Sequence, residues 1–443
     1  MNAEVRHIKT SAEATLADVF AAAQPLLPGD AAIAAARRAA FDTFAATGLP
    51  HRRIEAWKYT DLRALMRDAQ PLAGPPDTVA KTRAQDAGAI VAAAGCRKLV
   101  VVDGTFAPDL SDLTGLEAGL FVGSLARALA SGEAWVGAYL GKVFPTQDPA
   151  LALNTALMGD GVVIRVAADV VPERPLHVAF VTTGDKPTAM FVRSLVVVER
   201  GGRAMLIETH EGPGRVPYQV NTALELAIGD DAQVEHIRIN QDGTDALHLA
   251  TLLANLGARA KLDDFSFTTG AAIARNQLFV RFAGEGATAS LRGASLLADR
   301  QHADDTLVVD HVAARCESRE LFKSVLDGEA RSVFQGRITV RPQAQQTDAR
   351  MMTRALLLSE AAEADAKPEL EIFADDVQCG HGATTGALDE EAKFYLMARG
   401  IPAKEAEALL VQSFVGEAID AISHEAIKQA LTSATTDWLQ ERR

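Results

Sequence analysis

The chain has 443 residues, 58 acidic and 44 basic, and a net charge of −14 with neutral histidines. An apolar share of 48% with 23% charged residues supports a packed core and excludes general disorder, and the acidic balance argues against a general nucleic-acid binder. No apolar run reaches the ~18 residues of a membrane span, Met1 to Thr10 lacks the apolar stretch of a secretory signal, and Cys96, Cys316 and Cys379 are too few and too scattered for a disulfide framework, so a reducing, cytoplasmic setting is expected.

Residues 1–160 read as a mainly helical region. Ser11 to Ala23 and Asp30 to Thr47 are Ala-rich, with Asp30 as N-cap and Gly48 at the second C-terminus. Arg53-Ile-Glu-Ala-Trp-Lys-Tyr-Thr60 continues into a short helix in which Trp57 and Tyr59 are packing residues. Gln70 to Asp77, rich in Pro and Gly, is a linker or long loop. Leu99 to Val102 with Asp103-Gly104 predicts a buried strand and a turn, and Ser124 to Tyr139 a helix.

Residues 161–380 read as a β core. Val162 to Val166, Leu195 to Val198, Ala204 to Thr209 and Thr222 to Ile228 are β-branched and bounded by turn residues. Gly201, Gly229, Gly257 and Gly284 each open a Gly-x-x-Ala tetrad, spaced 28, 28 and 27 residues apart and followed by a strand-like run. Asp327-Gly-Glu-Ala330 is similar but out of phase. Such a period holds two or three short strands, too few for a propeller blade, and predicts a coiled β-solenoid with glycine supplying positive φ at successive corners. A β-sandwich with similar turns is the alternative that the residues leave open.

Residues 381–443 read as a C-terminal helical region, more an interaction appendage than a core. Helical character returns with Met351 to Glu363, followed by a strand at Glu369 to Phe373 and a loop at Gly382 to Gly386. Asp389 caps a helix from Glu390 to Arg399, Pro402 opens another running to Gly416, and Glu417 to Leu431 forms the last.

There is no P-loop, no His-Glu-x-x-His and no Gly-x-Ser-x-Gly. Gly284-Glu-Gly-Ala-Thr-Ala289 fits the loose dinucleotide pattern but precedes a strand, which argues against it. In Cys379-Gly380-His381 an extended backbone sets a thiol and an imidazole on one side, donors suited to iron or zinc. Two ligands do not complete a site, and on the residues alone a surface Cys beside a turn His is the plainer reading. His302, Asp304, Asp305, Asp310 and His311 form a second polar cluster, for which a solvated sheet face or polar interface is favoured over a metal site. Cys316 is expected to be structural.

The closing third resembles the SufB/SufD family of iron–sulfur cluster assembly proteins, in its SufD branch. The resemblance is carried by Asp310-His311, by Cys316-Glu-Ser-Arg-Glu-Leu-Phe-Lys-Ser-Val-Leu-Asp-Gly-Glu-Ala330, by Thr347-Asp-Ala-Arg350, by Glu369 to Thr384 with its Cys-Gly-His-Gly-Ala-Thr, and by Gly386 to Leu396. Arg53 to Thr60 fits as well. The resemblance implies a mainly β protein, a right-handed parallel β-helix flanked by N-terminal and C-terminal α-helical regions. It implies a non-enzymatic subunit that joins SufB through β-helix edges and the ATPase SufC through its C-terminal helices. It also implies transient contact with iron or a nascent cluster, shared with SufB and received at His381 and Cys379, with a flavin as a possible ligand of the whole complex. Gly380 stands where the family motif has Ser. The SufC-binding candidates are Phe394, Leu396, Leu409, Leu410 and Phe414. A β-helix polysaccharide-acting enzyme and a purely structural homodimer are the alternatives.

Overall fold

In the computed structural model, which describes residues 9–441, the β-rich segments after residue 161 wind into a parallel solenoid of about eight turns. Successive strands alternate between two sheets, so every strand pairs with the strand two places along the chain. Identical positions therefore stack. Val196, Leu226, Ala254, Val280, Val309 and Ile338 form one in-register column, and all six are buried in the interior core. Stacking sustains a column of apolar side chains because each coil covers the one below.

All four repeat glycines lie at one corner, but Gly201 aligns with Asp231 rather than with Gly229 and has the expected positive φ, while the structure corrects the role of the other three. At Gly229, Gly257 and Gly284 φ is not in the left-handed region. They are needed because the coils touch there: a Cβ on Gly284 would stand 2.0 Å from the Ala258 nitrogen, and one on Gly257 2.7 Å from that of Asp230. Positive φ falls instead on a second column, Asp169, Gly201, Asp231, Arg259, Gly286, Arg315 and Gln346. Each of these N–H groups donates to a carbonyl of the next coil, at 2.6–3.0 Å. The bond holds non-glycine residues in a conformation they otherwise avoid. The tetrad alanines Ala232, Ala260 and Ala287 sit fully buried under the corner, and Cys316 takes the same slot one coil later. Asp327 to Ala330 is out of phase because it forms the opposite corner, between Glu317–Leu326 and Arg331–Val340.

The expected helix at Met351 to Glu363 is instead strand Asp348–Leu357, a turn, and the start of strand Glu363–Ile372. Its Ala, Leu and Met favour helix, but pairing with Glu317–Leu326 overrides that propensity. The Gly382 to Gly386 loop is likewise part of strand Gln378–Ala387, which carries the solenoid past residue 380. Ser124 to Tyr139 is broken by Gly132 into helices Leu125–Ser131 and Ala134–Tyr139.

The outer faces of both sheets are covered in part. On one, helix Pro149–Leu157 lies across the strands, with Asn154 donating to the carbonyls of Val192 and Asn221. Nearby, Arg193 and Glu225 form a buried ion pair at 2.8 Å. The Arg53 to Thr60 stretch docks on the same sheet: Trp57 is buried under the Arg275 guanidinium at 3.8 Å and donates to Asp148.

Helices Ala403–Ile419 and Glu425–Glu441 cover the other sheet, burying Val411, Val415, Ile427 and Leu431 against Ile237, Ile239, Phe265 and Phe267. The last helix begins eight residues later than expected and reaches back to residues 89–94. Most of the C-terminal region is therefore core, not appendage; only helix Glu390–Met397 buries no residue.

Gly284→Ala should destabilise the chain by about 1–3 kcal/mol, because the methyl group must displace backbone rather than a mobile side chain. A lower denaturant midpoint with an unchanged slope checks it.

Candidate functional site

The two ends of the solenoid differ. At the N-terminal end, Thr105–Phe106 and Leu120–Ser124 add antiparallel strands that finish the sheets. At the other end Glu363–Ile372 and Gln378–Ala387 are the last strands, and among the described residues neither edge has a further partner. Cys379 and His381 lie on the second of these, in register with Ala349 and Met351. Extended backbone sets both on one face, as the i, i+2 spacing requires. Cys379 is half-buried against the interior core, and His381 is exposed. Burial pushes the Cys379 thiol up, and the Asp348 and Glu320 carboxyls act in the same direction. Metal binding there would expel a proton. A Cβ on Gly380 would meet nothing within 4 Å, so packing does not exclude a serine at this position.

Among the described residues no group of three or more His, Cys, Asp and Glu is placed to hold a metal ion. A metal site at Cys379 and His381 would have two donors from this chain and would need others from elsewhere.

A family model for the SUF-system FeS cluster assembly SufBD core domain matches residues 180–414, and one for the SufBD N-terminal region matches residues 10–178. The chain belongs to the SufBD family. It is 32% identical to a SufBD-family iron–sulfur cluster assembly protein of Synechocystis over 87% of this chain and 86% of that one. To the iron–sulfur cluster assembly protein SufD of Escherichia coli it is 29% identical, over 86% of this chain and 88% of the other. A chloroplastic protein of Arabidopsis thaliana is 26% identical over 88% of the chain. Membership assigns the chain to iron–sulfur cluster assembly.

The second polar cluster divides between the two faces of its strand, and its outward part is a polar interface, as the residues favoured, with the Arg53 to Thr60 stretch. His302 and Asp304 face outward, where Thr60 bonds both and Arg275 pairs with Asp304. Arg341 pairs with Asp310 at 2.7 Å. Asp305 and His311 face inward; His311 stacks on Phe282 at 4.2 Å, and Asp305 accepts from Asn276 at 3.1 Å.

The helix candidates also divide. Phe394 is 72% exposed and Leu409 42% exposed, beside exposed Tyr395 and Met397. Leu396 and Leu410 are half-buried. Phe414 packs on the sheet under the Lys323 ammonium, at 4.5 Å.

Sequence reasoning missed the polar interior. His236 lies between Asp264 at 2.6 Å and Glu208 at 3.2 Å, and Glu208 also accepts from Arg238 at 3.0 Å. His248 meets Asp242 at 2.6 Å, and Tyr218 donates to the same carboxylate. Burial opposes ionisation of Glu208, yet Arg238 and His236 hold its carboxyl well below the usual range. The available signal was parity: Glu208 and His210 alternate with Ile207 and Thr209, on the side of Leu206, which is interior.

Burial pushes the Asp305 carboxyl up to about 7 from its ordinary 3.8. Between those values the folded chain holds a proton that the unfolded chain lacks. This contribution to stability is complete below pH 3.8 and is lost as pH rises through 7. Asp305→Asn should therefore stabilise the chain by about 1–3 kcal/mol at pH 8 and leave it nearly unchanged at pH 4, as read from denaturant midpoints at both values.

Proposed function

We propose that this chain is the non-ATPase subunit of a SufB–SufC–SufD complex and supports iron entry and cluster assembly at an edge shared with SufB. The observation that carries the reading is the position of His381 and Cys379 on a terminal strand whose outer edge has no partner among the described residues, as an incomplete donor pair. An unpaired strand edge invites pairing with another chain by backbone hydrogen bonds, which would bring the missing donors. Imidazole and thiolate both suit iron or a nascent cluster, which is cargo here. The fold and the family favour this over a polysaccharide-acting enzyme. No described helix is long and apolar enough to cross a membrane, and the cytoplasm is the proposed compartment.

His381→Ala should leave the complex assembled and its ATPase active while cluster formation falls severalfold. Cys379→Ser should have an equal or smaller effect. Cluster absorbance and iron content, with subunit stoichiometry checked on the same sample, test both; full loading in His381→Ala would remove that residue from the mechanism.

SufC binding is assigned to the exposed face of Glu390–Met397 with Leu409. Deleting the whole C-terminal region would also strip the cover from a sheet, so point substitution is the cleaner test. Phe394→Asp should weaken SufC capture at least tenfold with no change in the chain's own melting temperature, because Phe394 contributes nothing to the core.

A further inference from the structure

On the outer face of the same sheet a groove of about 800 Å³ opens under the end of helix Ala403–Ile419, and Cys379 and His381 of the site strand stand at its border. Its size is that of a cofactor or small-molecule pocket. Although the chain carries a net charge of −14, this groove is lined by Arg292, Arg319, Arg350 and Arg354. The arginines come from three neighbouring strands, and the coil register creates like-charge neighbours: Arg319 is directly opposite Arg350, and Lys323 opposite Arg354. Like charges in such positions repel unless an anion lies between them.

Two carboxylates relieve part of the repulsion. Asp348 pairs with Arg319 at 2.7 Å and reaches Arg350 at 3.5 Å. Glu417, from the helix above, pairs with both Lys323 and Arg354. Arg292 is served far less well. Its side chain is only 7% exposed, its ion pair with Asp263 spans 3.8 Å, and its buried Nε has no hydrogen-bond partner. The Nε groups of Arg37, Arg97, Arg275 and Arg281 are unpaired as well, so what marks Arg292 is its place in the groove with only a long ion pair, and a planar donor fork there suits a phosphoryl group. Between the cations the floor is apolar, with Leu321 and Met352 in register beside Arg292. Opposite Met352, Gly382 leaves the floor low; a Cβ there would strike the Met352 methyl at 2.7 Å.

We propose that this groove binds a phosphate-bearing small molecule, its phosphoryl oxygens taken by Arg292 and Arg350 and its apolar part lying on Leu321 and Met352. The inference does not depend on Cys379 or His381 receiving iron, and its test reads binding rather than cluster formation.

The full-length chain, purified without partners, is titrated calorimetrically with ADP and with inorganic pyrophosphate at low salt. Both should bind saturably at one site, ADP more tightly because only it can use the apolar floor. Arg292→Gln and Arg350→Gln should each weaken both probes at least tenfold, and Leu321→Ala should weaken ADP alone. Arg300→Gln, at an exposed corner outside the groove, should change neither. Arg350 is 65% exposed, so its variant keeps the test valid if Arg292→Gln fails to fold. If neither probe saturates by about 1 mM, or if Arg300→Gln weakens binding as much as Arg350→Gln, the groove is not a phosphate site. Equal affinity for ADP and pyrophosphate, with no effect of Leu321→Ala, would overturn the role given to the apolar floor.

Discussion

The backbone ladder between coils is the constraint on which the rest depends. A parallel ladder copies each position directly above its equivalent, so side chains are placed in columns. Whatever stands at one position must suit the residue one coil up and one coil down. The columns explain the buried aliphatic core, the glycines whose Cβ would strike the preceding coil, and the corner residues held at positive φ by a bond to the following coil. They also explain why Cys316 belongs to the fold, since it occupies the slot that Ala287 fills one coil earlier. Cys379 lies on the terminal strand, where no coil follows to close over it, and so keeps an accessible side.

The same stacking makes a charged interior tolerable. An isolated buried carboxylate is costly, and a charge inside a solenoid has no route to water. Here neighbouring coils supply partners from above and below: Arg238 stands in register with Glu208, and His236 with Asp264. Desolvation alone would favour a neutral His236, yet the Asp264 and Glu208 carboxylates raise its basicity. Glu320 shows what happens without such partners. It stands in register with Leu291 and Met351, so no cation lies above or below it, and burial pushes the carboxyl up to about 8, so it holds its proton at neutral pH.

The parts of the fold legible in the sequence were those written in local chemistry. Asp30 and Asp389 cap their helices as their side chains dictate, accepting from Ile33 and Ala392. The 28-residue spacing announced the coils. Met351 to Glu363 misled because Ala, Leu and Met favour helix, and only the strand at Glu317–Leu326 makes them extend. Gly382 to Gly386 misled for the opposite reason: small residues look like loop until a ladder fixes them. For the candidate site, the side-by-side placement of Cys379 and His381 followed from spacing, whereas their terminal position depended on counting coils. The arginine groove was invisible, since Arg292, Arg319 and Arg350 converge only through the register of three strands. The division of the C-terminal apolar residues into buried and exposed sets was equally hidden, because helical spacing does not say which face meets a sheet.

The C-terminal helices connect mechanically to the site end of the solenoid. Glu417, on helix Ala403–Ile419, pairs with Lys323 and Arg354, which face each other on adjacent strands. Lys323 is buried and also donates to the Phe414 carbonyl, while its ammonium lies over the Phe414 ring. Breaking this contact would leave a buried cation without its anion, a far larger penalty than losing an exposed pair. The helix is therefore fastened to the strands Glu317–Leu326 and Asp348–Leu357, and the latter pairs residue by residue with the strand of Cys379 and His381. Helix Glu390–Met397, with its exposed Phe394 and Tyr395, follows that strand directly in the chain and packs on Ala403–Ile419. Force applied to this exposed helix has two routes into the terminal coil, one covalent through Ala387 to Asp389 and one through the Lys323–Glu417 pair. A partner gripping the helix would act on a surface joined to the edge that carries Cys379 and His381.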